Sequence, residues 1–67
     1  MSYYDYIQSQ EITAKGYYFY ALIMAAMRQA DSDNIEKLKF VFPEVHAELK
    51  ERYNAPGGLL PGEKGPG

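Results

Sequence analysis

Apolar residues open the chain at Tyr3, Tyr6 and Ile7 and recur at Ile12, a spacing of threes and fours that predicts a short helix over Tyr3–Ile12. Ser2, with Asp5 three residues later, supplies a capping arrangement at its start. Gln8, Ser9 and Gln10 leave that helix only modestly amphipathic. Thr13 is placed to cap a second helix from Ala14 to Ala30, rich in residues of high helix propensity. Its centre, Tyr17 to Met27, is eleven consecutive apolar residues. A helix that is apolar on every face must be enclosed on several sides. A buried strand is the rival, but the length of the run and the following Ala-Ala-Met-Arg-Gln-Ala favour helix. Gly16 marks either a kink or the true start.

Asp31-Ser32-Asp33-Asn34 breaks the apolar pattern, and Asp33 with Glu36 has the spacing of a capping box. A third helix is therefore predicted from near Asn34, with Ile35, Leu38 and Phe42 along one side. Pro43 disfavours helical geometry at Phe42 and suits the first turn of a new helix, so a bend is expected there. The fourth segment, Pro43 to Tyr53, puts Val45, His46, Leu49 and Tyr53 on one face, turns Glu44, Glu48, Lys50 and Glu51 outward and allows Glu48 to pair with Arg52. Asn54 can end that helix in the left-handed conformation, and Pro56 prevents continuation.

These elements describe an all-α protomer of three or four helices around a long central apolar helix. Residues 1–54 form the helical domain. Residues 55–67, eight of them Gly or Pro, form a flexible tail whose Leu59-Leu60 pair can clip onto a groove. The chain has 67 residues, 46% hydrophobic and 15% aromatic, which is more apolar material than one layer of short helices covers. The surplus predicts a homo-oligomer. No cysteine and a single histidine exclude a disulfide scaffold and a Cys/His zinc site, and no cofactor or metal is implied.

The formal charge is −2, with both signs interleaved, so neither duplex DNA binding nor DNA mimicry is expected. The apolar run falls well short of the roughly 20 residues a bilayer span requires. Met1-Ser2-Tyr3-Tyr4-Asp5 lacks the basic start of a signal peptide, which predicts a cytoplasmic protein.

Catalytic patterns are missing from the sequence: there is no cysteine nucleophile, no His-Glu-x-x-His and no phosphate loop. His46 lies beside Val45 and Leu49 and reads as a structural histidine rather than an acid–base group, so no enzyme is expected. The aromatic clusters stand out instead: Tyr3, Tyr4 and Tyr6, then Tyr17, Tyr18, Phe19 and Tyr20, with Tyr53 later. Tyrosine suits surfaces that are apolar in the middle and wet at the edge, so these rings read first as core and a self-association seam and second as a nucleobase-stacking site.

Arg28 and Arg52, the only arginines, suit either the carboxyl ends of helices or bidentate phosphate contacts. Arg52-Tyr53-Asn54 with Gly57 offers a guanidinium, a ring, an amide and bare backbone together, and is equally an ordinary helix stop. Ala21 and Ala25, one turn apart and flanked by Tyr18, Leu22 and Met24, offer a seam where a second helix can come close.

The stretch from Tyr20 to Asp31, with Leu38 to Pro43 and Arg52-Tyr53-Asn54-Ala55-Pro56-Gly57-Gly58, resembles small uncharacterised proteins encoded by bacteriophages and prophages. The similarity covers roughly residues 12 to 60. Small helical phage proteins include inhibitors of host defence, some of which sequester cyclic or ADP-ribose-type nucleotide signals between protomers. The resemblance therefore implies a bacterial host cell and a nucleotide-sequestering, non-catalytic role.

On that expectation Tyr17, Tyr20 and Tyr53 stack on bases, Arg28, Lys39 and Arg52 meet phosphates, and Asn54 and Gly57 approach the ligand closely. Tyr18, Ala21, Leu22, Met24 and Ala25 form the oligomer seam. The alternative is an interaction module whose tyrosine-rich surface docks on a host or phage protein and binds no small ligand.

Overall fold

The computed structural model describes residues 2–64, and they are predominantly helical. Four helices follow one another as α1 (Tyr3–Ala14), α2 (Phe19–Gln29), α3 (Ser32–Val41) and α4 (Pro43–Tyr53), with a single 3-10 turn at Pro56–Gly58. No strand occurs among the described residues.

The start of α1 is held as its sequence predicts. Ser2 Oγ accepts from the Asp5 amide at 3.2 Å, and the Asp5 carboxylate accepts from the Ser2 amide at 3.0 Å. Two amides that a helix leaves unpaired are thereby satisfied. The helix continues past Ile12 through Thr13 and Ala14, which corrects the expected Ala14–Ala30 helix and its Thr13 cap.

Gly16 marks the break, at φ +74°, a conformation that costs glycine no Cβ clash. Tyr18 is extended and caps α2 with no side-chain hydrogen bond. Successive aromatic residues lose rotamer freedom in a helix, so they yield there more readily than alanines would. The central helix is consequently 11 residues long, comparable with its neighbours.

The third helix starts two residues before Asn34. Asp31, not Asp33, is the cap: its Oδ1 accepts from the Asn34 amide at 2.8 Å. Both aspartates are competent acceptors, but Ala30 is already extended, so the chain turns into the new helix one step later at Asp31. The bend at Phe42 is as expected (φ −125°, ψ 61°), and α4 begins on Pro43 and ends on Tyr53. Asn54 differs from expectation. It stays right-handed at φ −91°, and its side-chain amide donates to the Lys50 carbonyl at 3.0 Å, while the left-handed residues are Gly57 and Gly58. The amide thus satisfies an end carbonyl that a left-handed turn at Asn54 would otherwise have capped.

Helices α2, α3 and α4 pack on one another. Phe19 at the start of α2 meets Phe42 at the end of α3, ring centroids 6.0 Å apart and edge to face. Ile35 near the start of α3 shares a cleft with Met27 at the end of α2, so α3 runs back alongside α2. Tyr20 and Met24 sit by Val45 and Glu48, and Met27 by Leu49 and Tyr53, so α4 runs in the same direction as α2.

Enclosure is thin. Met27, at 5% exposure, is the one buried side chain among the described residues, with Leu22, Ile23, Met24, Ile35, Leu38, Val45 and Leu49 half-buried around it. Tyr17, Tyr18, Phe19, Tyr20, Ala21, Ala25 and Ala26 face solvent, which corrects the reading of the aromatic clusters as core, because three short helices have no interior wide enough for them. Helix α1 packs against no other helix among the described residues. The Gly/Pro segment as far as Lys64 folds back on the end of α4, with Leu59 and Leu60 half-buried; residues 65–67 lie outside the described residues.

Candidate ligand-binding cleft

A cleft of about 330 Å³ opens where the last turn of α2, the start of α3 and the second half of α4 meet. Met27, Ile35 and Leu49 line its apolar part, and Arg28, His46, Lys50 and Tyr53 complete it. On α4 the spacing 46, 50, 53 places imidazole, ammonium and phenol ring along one face, with Leu49 between them. Arg28 arrives from α2 because Met27 beside it is anchored in the core.

Among the described residues no carboxylate lines this cleft, although the chain as a whole is acidic. Among the described residues no hydrogen bond or ion pair within the chain engages the side chains of Arg28, His46, Lys50 or Tyr53. Arg28 and Lys50 both sit in last turns, where the carbonyl ends of the helices hold the cations and partly offset their field. The arrangement suits a flat apolar group on the floor, an anion beside the cations and a ring, 88% exposed on Tyr53, free to close over it.

Arg52 is differently employed. Its two terminal nitrogens grip both oxygens of Glu63 at 2.7 and 2.6 Å, and one of them also donates to the Gly58 carbonyl at 2.8 Å. The predicted i,i+4 partner Glu48 lies 3.4 Å from Nε. Glu63 Oε1 accepts in turn from the Leu60 amide at 2.9 Å. The Arg52 hydrogen bond, helped by the Leu60 amide and opposed by partial desolvation, holds the Glu63 carboxyl at a pKa of about 2 against an ordinary 4.5. Glu63 likewise pushes the Arg52 pKa upward. An incoming phosphate would have to displace this clasp.

Of the eight expected ligand residues, the structure brings Arg28 and Tyr53 together in the cleft. Arg52, Asn54 and Gly57 stand next to it in the turn that closes α4. Tyr17, Tyr20 and Lys39 are elsewhere: Tyr17 lies on the outer groove of α2, Tyr20 beside Met24 and Val45, and Lys39 beside Glu36 and Phe40. His46, expected as a structural residue, and Lys50, expected on the outward face of α4, are the additions; the i, i+4, i+7 spacing of 46, 50 and 53 brings them to one side.

Within the expected seam, Ala21, Leu22 and Ala25 share one groove with Ile12, Tyr17, Ala26 and Gln29. Tyr18 is exposed at the head of α2, and Met24 lines a pocket with Val45 and Glu48 of α4. No protein family, curated protein or solved structure matches the chain.

Proposed function

We propose that the protein captures a small anionic ligand of the nucleotide class in the Arg28–His46–Lys50 cleft, without chemical conversion. The observation that carries this is the convergence of Arg28, His46, Lys50 and a free tyrosine ring on an apolar floor with no acidic lining among the described residues. A volume of about 330 Å³ falls at the small end of ligand sites and suits one nucleobase with its adjoining sugar and phosphate. Tyr53 stacks on the base, Arg28 and Lys50 meet the phosphate, and His46 adds a hydrogen bond.

The sequence resemblance supplies the setting: a phage-encoded protein in the bacterial cytoplasm that lowers the free level of a cyclic or ADP-ribose-type defence signal. An alternative role as a docking module for a host or phage protein is favoured by Tyr3, Tyr4, Tyr18 and Phe40, each at least 70% exposed.

Thermal melting against a panel of cyclic nucleotides and nucleotide sugars tests the capture role. Ligand at 100 times its Kd stabilises a fold by about 2.7 kcal/mol, a shift of several degrees in so small a domain. Arg28→Ala and Lys50→Ala each weaken the hit, whereas Arg52→Ala leaves it in place, and the bound molecule is recovered unaltered. Flat melting curves across the panel end the proposal and leave the docking role.

A further inference from the structure

We propose that α1 is an exchanged arm, which docks on the outer groove of α2 in a second copy of the chain while the partner's α1 docks reciprocally. The inference does not depend on the ligand cleft, which lies on the side of α2 that faces α4.

Surface area is the first argument. A compact monomer of 7.6 kDa exposes about 4,300 Å² by the usual size scaling. This chain exposes 5978 Å². The excess, about 1,700 Å² per chain, is well above the roughly 800 Å² per partner that a stable interface of standard size buries. The molecule is also drawn out, 42 Å by 29 Å by 16 Å, as an arm beside a body would make it.

Two apolar surfaces stand open in the fold. Helix α1 is capped and regular yet packs on no other helix among the described residues. Isolated helices of about 12 residues are marginal in water, so a formed α1 calls for a surface to lie against. It carries Tyr3, Tyr6 and Ile7 at helical spacing, with the Tyr3 and Tyr6 rings already paired at 6.3 Å.

The opposite half of the fit is the groove of α2. Ala21, Leu22, Ala25, Ala26 and Gln29 line it beside Tyr17, and among the described residues no charged side chain does. Alanines one turn apart let a second helix approach closely. Lengths match: 12 residues make a rod of about 18 Å and 11 residues a groove of about 16 Å. Ile12 of the chain's own α1 already stands at the groove edge, so a two-fold pair would bring two α1 and two α2 helices into one closed seam. Lys15–Tyr18, with left-handed Gly16, is the hinge that directs the arm outward.

Sedimentation of the full chain over a dilution series, with melting at each concentration, is the test. Wild type sediments at twice the 7.6 kDa chain mass, and its melting temperature rises with concentration. Tyr6→Glu touches nothing in its own α2–α4 body, so in a monomer it would be silent; here it weakens association by about tenfold. Ala25→Arg, on an exposed position of the groove, does the same. If Ala25→Arg fails to fold, wild type and Tyr6→Glu still decide. A cooperatively folded species of 7.6 kDa, a larger assembly, or Tyr6→Glu that changes neither mass nor melting overturns the proposal. So does Tyr6→Glu that lowers melting at constant monomer mass, since the arm would then lie in its own groove.

Discussion

Asp31 and Asp33 have the same chemistry two positions apart, and only one of them holds a helix end. The Asp31 carboxylate satisfies an amide that α3 leaves unpaired, whereas Asp33 lies within the first turn. Asp31→Ala is expected to cost about 1 kcal/mol in urea unfolding, and Asp33→Ala less than about 0.5 kcal/mol. Equal effects would show that the cap is not where α3 begins. Glu63 and Arg52 tune each other's charge across the clasp. The Glu63 carboxyl is held down at about 2, so the clasp contributes fully above the ordinary value of 4.5 and is lost as pH falls from there through about 2. NMR titration of the Glu63 carboxyl should show its midpoint near the lower value, with the Leu60 amide protected at pH 4. Glu63→Ala, which removes the acceptor, should abolish that protection at neutral pH. A midpoint at the ordinary carboxylate value would mean that the tail is not clasped in solution.

At the scale of elements, four helices of similar length do different work. Helix α4 carries most of the cleft on a single face, and the turn after it is drawn back by Arg52. Helix α2 is two-sided: Met24 and Met27 look into the body, while Ala21 and Ala25 look away from it. That division decides how the apolar run is used, because a helix apolar all round has a face left over once its neighbours are in place. Helix α1 is the complementary surplus, apolar on part of its surface and unaccompanied. Pro43 lets α4 start directly after α3, with Phe42 as the one residue between them. This short joint brings Phe42 onto Phe19 and sets the direction of α4 against α2.

For the molecule as a whole, stability rests on very little interior. Met27 touches the meeting point of three helices and is the one buried side chain among the described residues. Met27→Ala should therefore cost about 2–5 kcal/mol, a large share of what so small a domain has, and urea unfolding would show it as a lost or strongly shifted transition. A cost well under 1 kcal/mol would mean that another cluster holds the helices together. The thin interior and the solvent-facing rings have one cause. Three helices of 10 or 11 residues enclose a single line of side chains, and everything else apolar is left outside.

By itself the sequence determined the all-helical class, the Ser2–Asp5 cap, the Pro43–Tyr53 helix, the Glu48–Arg52 pair and the bend at Phe42. Each depends on residues within about four positions of one another, a range over which propensity and capping act. The break at Gly16, the choice between Asp31 and Asp33, and the company of Arg28 with His46 and Lys50 were decided by the tertiary structure. Both Gly16 outcomes are locally allowed, and only the folded backbone, with Gly16 left-handed at φ +74°, shows that the chain breaks there. The cleft joins residues about 20 positions apart, whose nearness exists only once α3 has run back and α4 has returned beside α2. Arg52 shows the same division from the other side: its near partner is readable from helix spacing, but Glu63, eleven residues away, reaches it only because the glycines turn the chain back.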